Sequence, residues 1–397
     1  MTVTEPFLLL GILLALSLAF VNGLNDAGHS LATIVATRAL SPVKAVFLTA
    51  LCNMIGPFVF PVAVAATIGT AIITPNTLTP LILVVAMGTA FILILVATRA
   101  GLPISSSNAI VGGLLGAGVG ASGISAIILP PSGTVVQVFT FGAAGAVAGA
   151  IVLSLIAFTL QGELRLAAAI GAICGGAVIV PILMILGILK LSGILAIVLF
   201  IFISPIVGML SAFLLDILVS HLFRHSRQNL MTRIFQPLHV LACLAQAISH
   251  GGNDGQNAVG LITALLVASG ALATFAVPLW VILIAGLAIG LGTCFGGWSV
   301  VEKMAKAITK IRPYQGFCAA TASSSILVAV TRGGIPVSST HAINGAIVGV
   351  GATRGKNAVH WQVVREMLTA WIITIPLAFA CAFTGYIVVA HLIPLFG

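Results

Sequence analysis

Asn22-Gly23-Leu24-Asn25-Asp26-Ala27-Gly28-His29 stands inside the apolar run 6–37. An ionisable group in a membrane segment is costly, and by default it marks a functional site. The element occurs twice. His250-Gly251-Gly252-Asn253-Asp254-Gly255-Gln256-Asn257 repeats it 228 residues on, inside a second apolar run, 236–270. Asp26 and Asp254 are two of only seven acidic residues in a chain of 397.

Hydrophobic residues make up 60% of the sequence and charged residues 6%, where soluble proteins carry about 25% charged residues. So little polar surface cannot cover a soluble core of this size, so the solvent is a bilayer. The apolar runs are continuous and close to the ~20 residues of a spanning helix, unlike the short alternating segments of a barrel. The fold class expected is an all-α polytopic membrane protein. The formal charge of +9 points to no nucleic acid here, because the basic residues gather in loops, at Arg224 to Arg233 and Lys303 to Arg312, as orientation signals do. The cysteines show no CxxC spacing and read as small buried hydrophobes. The run from Phe7 lacks a basic leader and reads as a first helix rather than a cleaved signal.

Twelve apolar segments follow, at 6–37, 43–73, 78–98, 104–121, 134–160, 165–189, 192–219, 236–270, 274–300, 315–331, 335–352 and 361–393. Segments 104–121 and 335–352 are short, glycine-rich and open on a proline and serines. Short or broken apolar segments at matching positions of two halves mark a transporter's binding site. The match is explicit: Thr98-Arg99-Ala100-Gly101-Leu102-Pro103-Ile104-Ser105-Ser106-Ser107-Asn108 aligns with Thr331-Arg332-Gly333-Gly334-Ile335-Pro336-Val337-Ser338-Ser339-Thr340-His341, at an offset of 233. Two blocks repeated in the same order imply duplication, with halves 1–220 and 235–397 joined by a basic loop, 221–234. Placing the basic loops in the cytoplasm, and letting 78–98 with 104–121 and 315–331 with 335–352 form re-entrant hairpins, makes the two repeats inverted. Both termini then lie outside.

Glycines beside Asp26 and Asp254 are expected to let the backbone leave helical geometry and turn carbonyls inward. Carboxylate, amide and carbonyl oxygens would form a cage for Na⁺ or a proton. The alternative is a structural pair capping a helix break. Pro103 and Pro336 fit the first turn of a half-helix, whose N–H groups, dipole and serine hydroxyls make an anion site. Plain N-capping is the alternative. A buried divalent anion faces a desolvation cost above the ~20 kcal/mol of an idealised monovalent ion, so co-bound cations are what the physics asks for, which is symport.

His29, His250 and His341 are neighbours able to carry protons, or to pack. Arg99 and Arg332 match across the repeat and read as interfacial anchors, with extra anion contacts near the hairpin tips as the alternative. Gly112/Gly116, Gly145/Gly149 and Gly286/Gly290 carry the GxxxG spacing of close helix packing. Gly120-Ala121-Ser122-Gly123 matches a protease string that arises easily among 43 glycines. No HExxH, P-loop or dinucleotide-binding pattern occurs, so neither an enzyme nor an ATP-driven pump is expected, and no cofactor. An anion channel is the alternative from another class.

At Gly23-Leu24-Asn25-Asp26, Gly252-Asn253-Asp254 and the two Pro-x-Ser-Ser elements, the chain resembles the PiT family of inorganic phosphate transporters. The resemblance spans both halves. It implies an inverted-repeat, dimeric symporter in the cell membrane that moves phosphate with Na⁺ or H⁺. It implies sodium ligands at Asn22, Asn25, Asp26, Asn253, Asp254 and Asn257. It implies phosphate contacts at Ser105, Ser106, Ser107, Ser338, Ser339 and Thr340, with Asn108 and His341 beside them. His29 and Asn108 depart from the residues the family often carries there, which bears on the coupling ion. The family also includes sulfate permeases.

Overall fold

The computed structural model describes residues 4–37, 39–100, 104–159, 161–296 and 311–392. Among these the apolar runs become thirteen α-helices and no strand. They are α1 (Thr4–Ala36), α2 (Pro42–Val59), α3 (Ala63–Thr70), α4 (Pro80–Ala100), α5 (Ser106–Ser122), α6 (Ser132–Thr159) and α7 (Leu164–Ile185), then α8 (Gly193–Leu222), α9 (Gln228–Ala268), α10 (Leu279–Cys294), α11 (Pro313–Arg332), α12 (Ser339–Ala352) and α13 (Trp361–Leu392). Helices are the cheap solution in lipid because each satisfies its own backbone. Seven are long and apolar enough to cross a membrane: the Pro6–Asp26 part of α1, α2, α4, α6, α7, α8 and α13.

Three expectations change. Segment 43–73 is two helices, α2 and α3, because the chain leaves helical geometry at Phe60–Val62, where Pro61 removes a donor. The basic loop 221–234 is mostly helix, since α8 runs to Leu222 and α9 starts at Gln228; the residues 303–310 of the other cluster lie outside the described residues. The Asn-Asp elements do not break their helices. α1 and α9 continue through 22–29 and 250–257. Their glycines serve close approach instead. A Cβ on Gly23 would stand 2.1 Å from the Ile289 carbonyl oxygen of α10, and one on Gly251 would stand 2.1 Å from that of Asn53 on α2.

The halves interlock reciprocally. α1 packs on α10 and α9 on α2, so each half's first helix lies on a helix of the other. Hairpin arm α5 packs on α13, and α12 on α8. The glycines at these contacts are repeat equivalents. Gly112 and Gly116 abut the carbonyls of Ile375 and Phe379, while Gly345 and Gly349 abut those of Pro205 and Met209. α1 and α9 run antiparallel: Gly11 faces Leu265 at one end, and Thr37 meets His239 at the other.

α6 and α7 form a pair with little burial in the chain. Gly145 and Gly149 meet Gly175 and Gly171 backbone to backbone, as their spacing predicts. Phe139, Phe158, Ile173 and Ile185 face outward, where lipid is their solvent. The same reason corrects the cysteines: Cys243 and Cys318 are buried, but Cys294 and Cys381 are exposed. Exposure of a small apolar group to hydrocarbon carries no penalty, so burial was not required of them.

Candidate functional site

The middle of the α1–α9 crossing holds two carboxylates and an imidazole. Asp26 and Asp254 are buried, as is His250. His250 Nε2 lies 3.3 Å from Asp26 Oδ2 and 3.0 Å from Asp254 Oδ2. One ligand atom from each of the three residues falls within 4.8 Å of the others. The outer face of the ring is fixed by α2, where Asn53 Oδ1 lies 3.0 Å from His250 Nδ1. Asn53 Nδ2 in turn donates to Thr293 Oγ1 at 2.8 Å.

The hairpin arms α5 and α12 bring their N-termini to this cluster. Ser107 Oγ donates to Asp254 Oδ1 at 3.5 Å, and Thr340 Oγ1 to Asp26 Oδ1 at 3.2 Å. Ser107 and Thr340 are repeat equivalents, and each reaches the carboxylate of the other half. Ser339 Oγ donates to Asp254 Oδ2 at 2.7 Å, and Ser106 Oγ to Asn22 Oδ1 at 2.8 Å. Asn257 Nδ2 donates to Ser107 Oγ at 2.9 Å.

Ser105 and Ser338 do the capping. Their hydroxyls accept from the backbone N–H groups of Asn108 and His341, which leaves Ser107, Ser339 and Thr340 free to bond the carboxylates and Ser106 to bond Asn22. Pro336 precedes this cap in extended chain and is not in the first turn of α12. Pro103 and the His29 side chain lie outside the described residues. Arg99 and Arg332 stand exposed in the last turns of α4 and α11.

Asn25 and Asn253 have a matched role. Thr98 Oγ1 donates to Asn25 Oδ1 at 3.1 Å, while Asn253 Nδ2 donates to Thr331 Oγ1 at 2.9 Å. Asn253 also donates to the Ile335 carbonyl and accepts from Val337 N–H. Each amide therefore ties its own helix to its own hairpin. Asn25 Nδ2 additionally donates to Asp26 Oδ1 at 3.0 Å. His341 stacks on Trp371 with ring centroids 3.9 Å apart.

Two buried atoms of this region, Asn108 Nδ2 and Asn257 Oδ1, have no hydrogen-bond partner among the described residues. Orphaned buried polar atoms are rare in folded proteins and leave hydrogen-bonding capacity for a water, an ion or a ligand. The chemistry of the cluster limits which ligand. Two carboxylates and an imidazole whose ligand atoms lie within 4.8 Å of one another suit a cation better than a bare oxyanion.

Asn53, Thr98, Thr331 and Gln256 were not among the residues singled out from sequence. Thr98 and Thr331 carried a signal, since both open the duplicated Pro-Ser blocks in register. Asn53 was a lone amide in an apolar segment. Gln256 holds the start of α3, accepting from the N–H groups of Val64 and Ala65 and donating to the Pro61 carbonyl.

The family model for the "Phosphate transporter family" matches residues 22–168 and 137–382, covering both Asn-Asp elements and both hairpins. The chain belongs to the phosphate transporter family. A protein of Rhizobium meliloti named "Probable low-affinity inorganic phosphate transporter" is 37% identical over 95% of this chain and 95% of its own length. One of Bacillus subtilis with the same name is 28% identical over the same shares. A solved structure titled "The sodium-dependent phosphate transporter" is similar at 26% identity with a TM-score of 0.70, across 97% of this chain and 99% of that one. The chain is thus a membrane-embedded transporter of the phosphate family and not an enzyme.

Proposed function

We propose that this transporter imports phosphate by symport with Na⁺, by alternating access around Asp26 and Asp254, in the cell membrane with both termini outside. The observation that carries the reading is the reciprocal pairing of Ser107 with Asp254 and Thr340 with Asp26. Each hairpin arm is tied to the carboxylate of the opposite half, so a cation binding there changes the hold on both hairpins. Asn22, Asn25, Asp26, Asn253, Asp254 and Asn257 would supply oxygens to Na⁺. Ser106, Ser107, Ser339 and Thr340 would turn their hydroxyls to phosphate once cations have taken over the carboxylates, with Ser105, Ser338, Asn108 and His341 shaping the two arm ends. Antiparallel α1 and α9, themselves repeat equivalents, support inverted repeats 1–220 and 235–397 around the joining stretch 221–234. A homodimer is part of the same reading.

One observation favours proton coupling as a second reading. His250 lies between the two carboxylates, where a coupling cation would sit, and an imidazolium could take that place. Phosphate uptake into proteoliposomes under imposed Na⁺ or proton gradients, with sulfate as competitor, tests both. Accumulation driven by Na⁺ and indifferent to sulfate is expected. Accumulation driven only by protons would select the second reading, and flux indifferent to either gradient would mean a channel.

A further inference from the structure

A second buried polar cluster lies on the same face of α9, outside the site. His239, Cys243, Gln246, His250 and Asp254 recur at three- and four-residue steps, which places them on one stripe. Eleven residues separate His239 from His250, about 16 Å along the helix. His239 is buried. Its Nε2 lies 3.1 Å from Thr33 Oγ1 near the end of α1, and its Nδ1 3.3 Å from Thr37 Oγ1 in the turn that follows. Thr33 Oγ1 also lies 3.4 Å from Cys243 Sγ. Thr37 is half-buried, so the stripe reaches the surface there. The ring rests on Gly316 of α11, where a Cβ would stand 2.4 Å from Nε2. Two turns along the same face of α11, Ser323 is buried with its hydroxyl unpartnered among the described residues.

The other end of the same crossing has the same geometry and the opposite chemistry. Because α1 and α9 are both unbroken, the offset of 228 pairs His239 with Gly11, Cys243 with Ala15 and Gln246 with Leu18. Thr33 and Thr37 pair with Leu261 and Leu265. Gly11 does meet Leu265, as His239 meets Thr37. On the hairpin arms, Gly316 and Ser323 pair with Leu83 and Ala90. Leu18, Leu83, Leu261 and Leu265 are all buried. Duplication thus left one end sealed by hydrocarbon and the other lined with imidazole, thiol and hydroxyls. Polar groups deep in a membrane protein are expensive and mark ion pathways.

We propose that His239, Thr33 and Thr37 line the route by which phosphate and its coupling cation pass between the central site and one end of the molecule, with Gln246 and Cys243 between. The opposite end of the α1–α9 crossing is an apolar seal, so access from the other side of the membrane does not run along this crossing. This rests on the transport reading above. Hydroxyls and an imidazole can replace part of the hydration of either ion in passing without a fixed charge to trap it.

The native Cys243 reports on the route and its repeat partner Ala15 on the seal. The full chain carrying Ala15→Cys is exposed to the impermeant methanethiosulfonate ethylsulfonate in right-side-out and inside-out vesicles during turnover, and mass spectrometry reads each cysteine separately. Cys243 is expected to react from one side only, at least tenfold faster than position 15 from either side, and more slowly when sodium and phosphate are withheld. Cys243 unreactive from both sides in vesicles that take up phosphate overturns the route. So does position 15 reacting as fast from the opposite side. One-sided labelling of Cys243 without any phosphate uptake in the same vesicles would instead fail the transport reading and leave the aqueous route standing.

Discussion

Thr340 Oγ1 of α12 stands 3.2 Å from Asp26 Oδ1 of α1, joining the second half's hairpin to the first half's carboxylate. A hydroxyl bonded to a charged group contributes about 1.5–3 kcal/mol. Thr340→Val keeps the shape and removes the hydroxyl that would turn from Asp26 to phosphate, so the apparent affinity for phosphate in proteoliposome uptake is expected to fall by roughly 10- to 100-fold. Thr340→Ser keeps the hydroxyl and should restore most of it. Equal losses in both variants would mean that Thr340 only fills space.

Asp26→Asn tests the carboxylate itself. The amide keeps hydrogen-bonding capacity toward Thr340 and Asn25, so the protein should fold and keep its thermal midpoint in detergent. Removing the charge takes away one of the two carboxylates that attract a coupling cation, and gradient-driven uptake should be lost. Na⁺-stimulated phosphate uptake by this variant would sink the assignment.

The duplicated elements carried most of the architecture in plain view. Asp26 with Asp254, and Ser107 with Thr340, meet in the site because two blocks repeat in register. What the sequence could not reveal was which glycines bend the chain and which only let helices touch. Gly23 and Gly251 looked like hinges beside a polar element, yet whether a glycine kinks depends on its neighbour helix, here α10 and α2. Asn53 was hidden for a related reason. A single amide in an apolar segment says nothing of its partner until α2 is laid against α9 and its oxygen meets His250 Nδ1. The break after Val59 was legible in Pro61, although the segment's length invited a single span.

His250 stands where its repeat equivalent is Asn22. His250→Asn therefore copies the first half's residue into the second and removes the imidazole from between the carboxylates. If His250 carries the coupling proton, uptake driven by a proton gradient should fall at least tenfold, while any Na⁺-driven component persists or rises. Uptake would then vary less between acidic and alkaline external pH than in the unsubstituted protein. An unchanged response to the proton gradient would assign His250 a purely positional role through Asn53.

Gly345 of α12 lies against α8 so closely that an added Cβ would stand 2.2 Å from the Pro205 carbonyl oxygen and 2.7 Å from its Cα. Both neighbours are backbone and cannot rotate away, so Gly345→Ala must push the helices apart. Overpacking of this kind costs about 1–3 kcal/mol, and the thermal midpoint in detergent should drop accordingly. Gly133 of α6 is the control, because an added Cβ there meets nothing within 4 Å; Gly133→Ala should be neutral or slightly stabilising, as alanine is the better helix former by roughly 0.5–1 kcal/mol. The consequence for transport separates Gly345 from an ordinary packing glycine. α12 presents Ser339 and Thr340 to the carboxylates from its first turn, so displacing the helix from α8 also displaces both hydroxyls. Gly345→Ala should therefore weaken phosphate affinity even at temperatures where the protein remains folded. Gly149→Ala, whose Cβ would stand 2.1 Å from the Gly171 carbonyl oxygen in the α6–α7 pair away from the site, should lower the midpoint and leave affinity unchanged. Equal effects of the two on affinity would show that α12 does not hold its hydroxyls through its seat on α8.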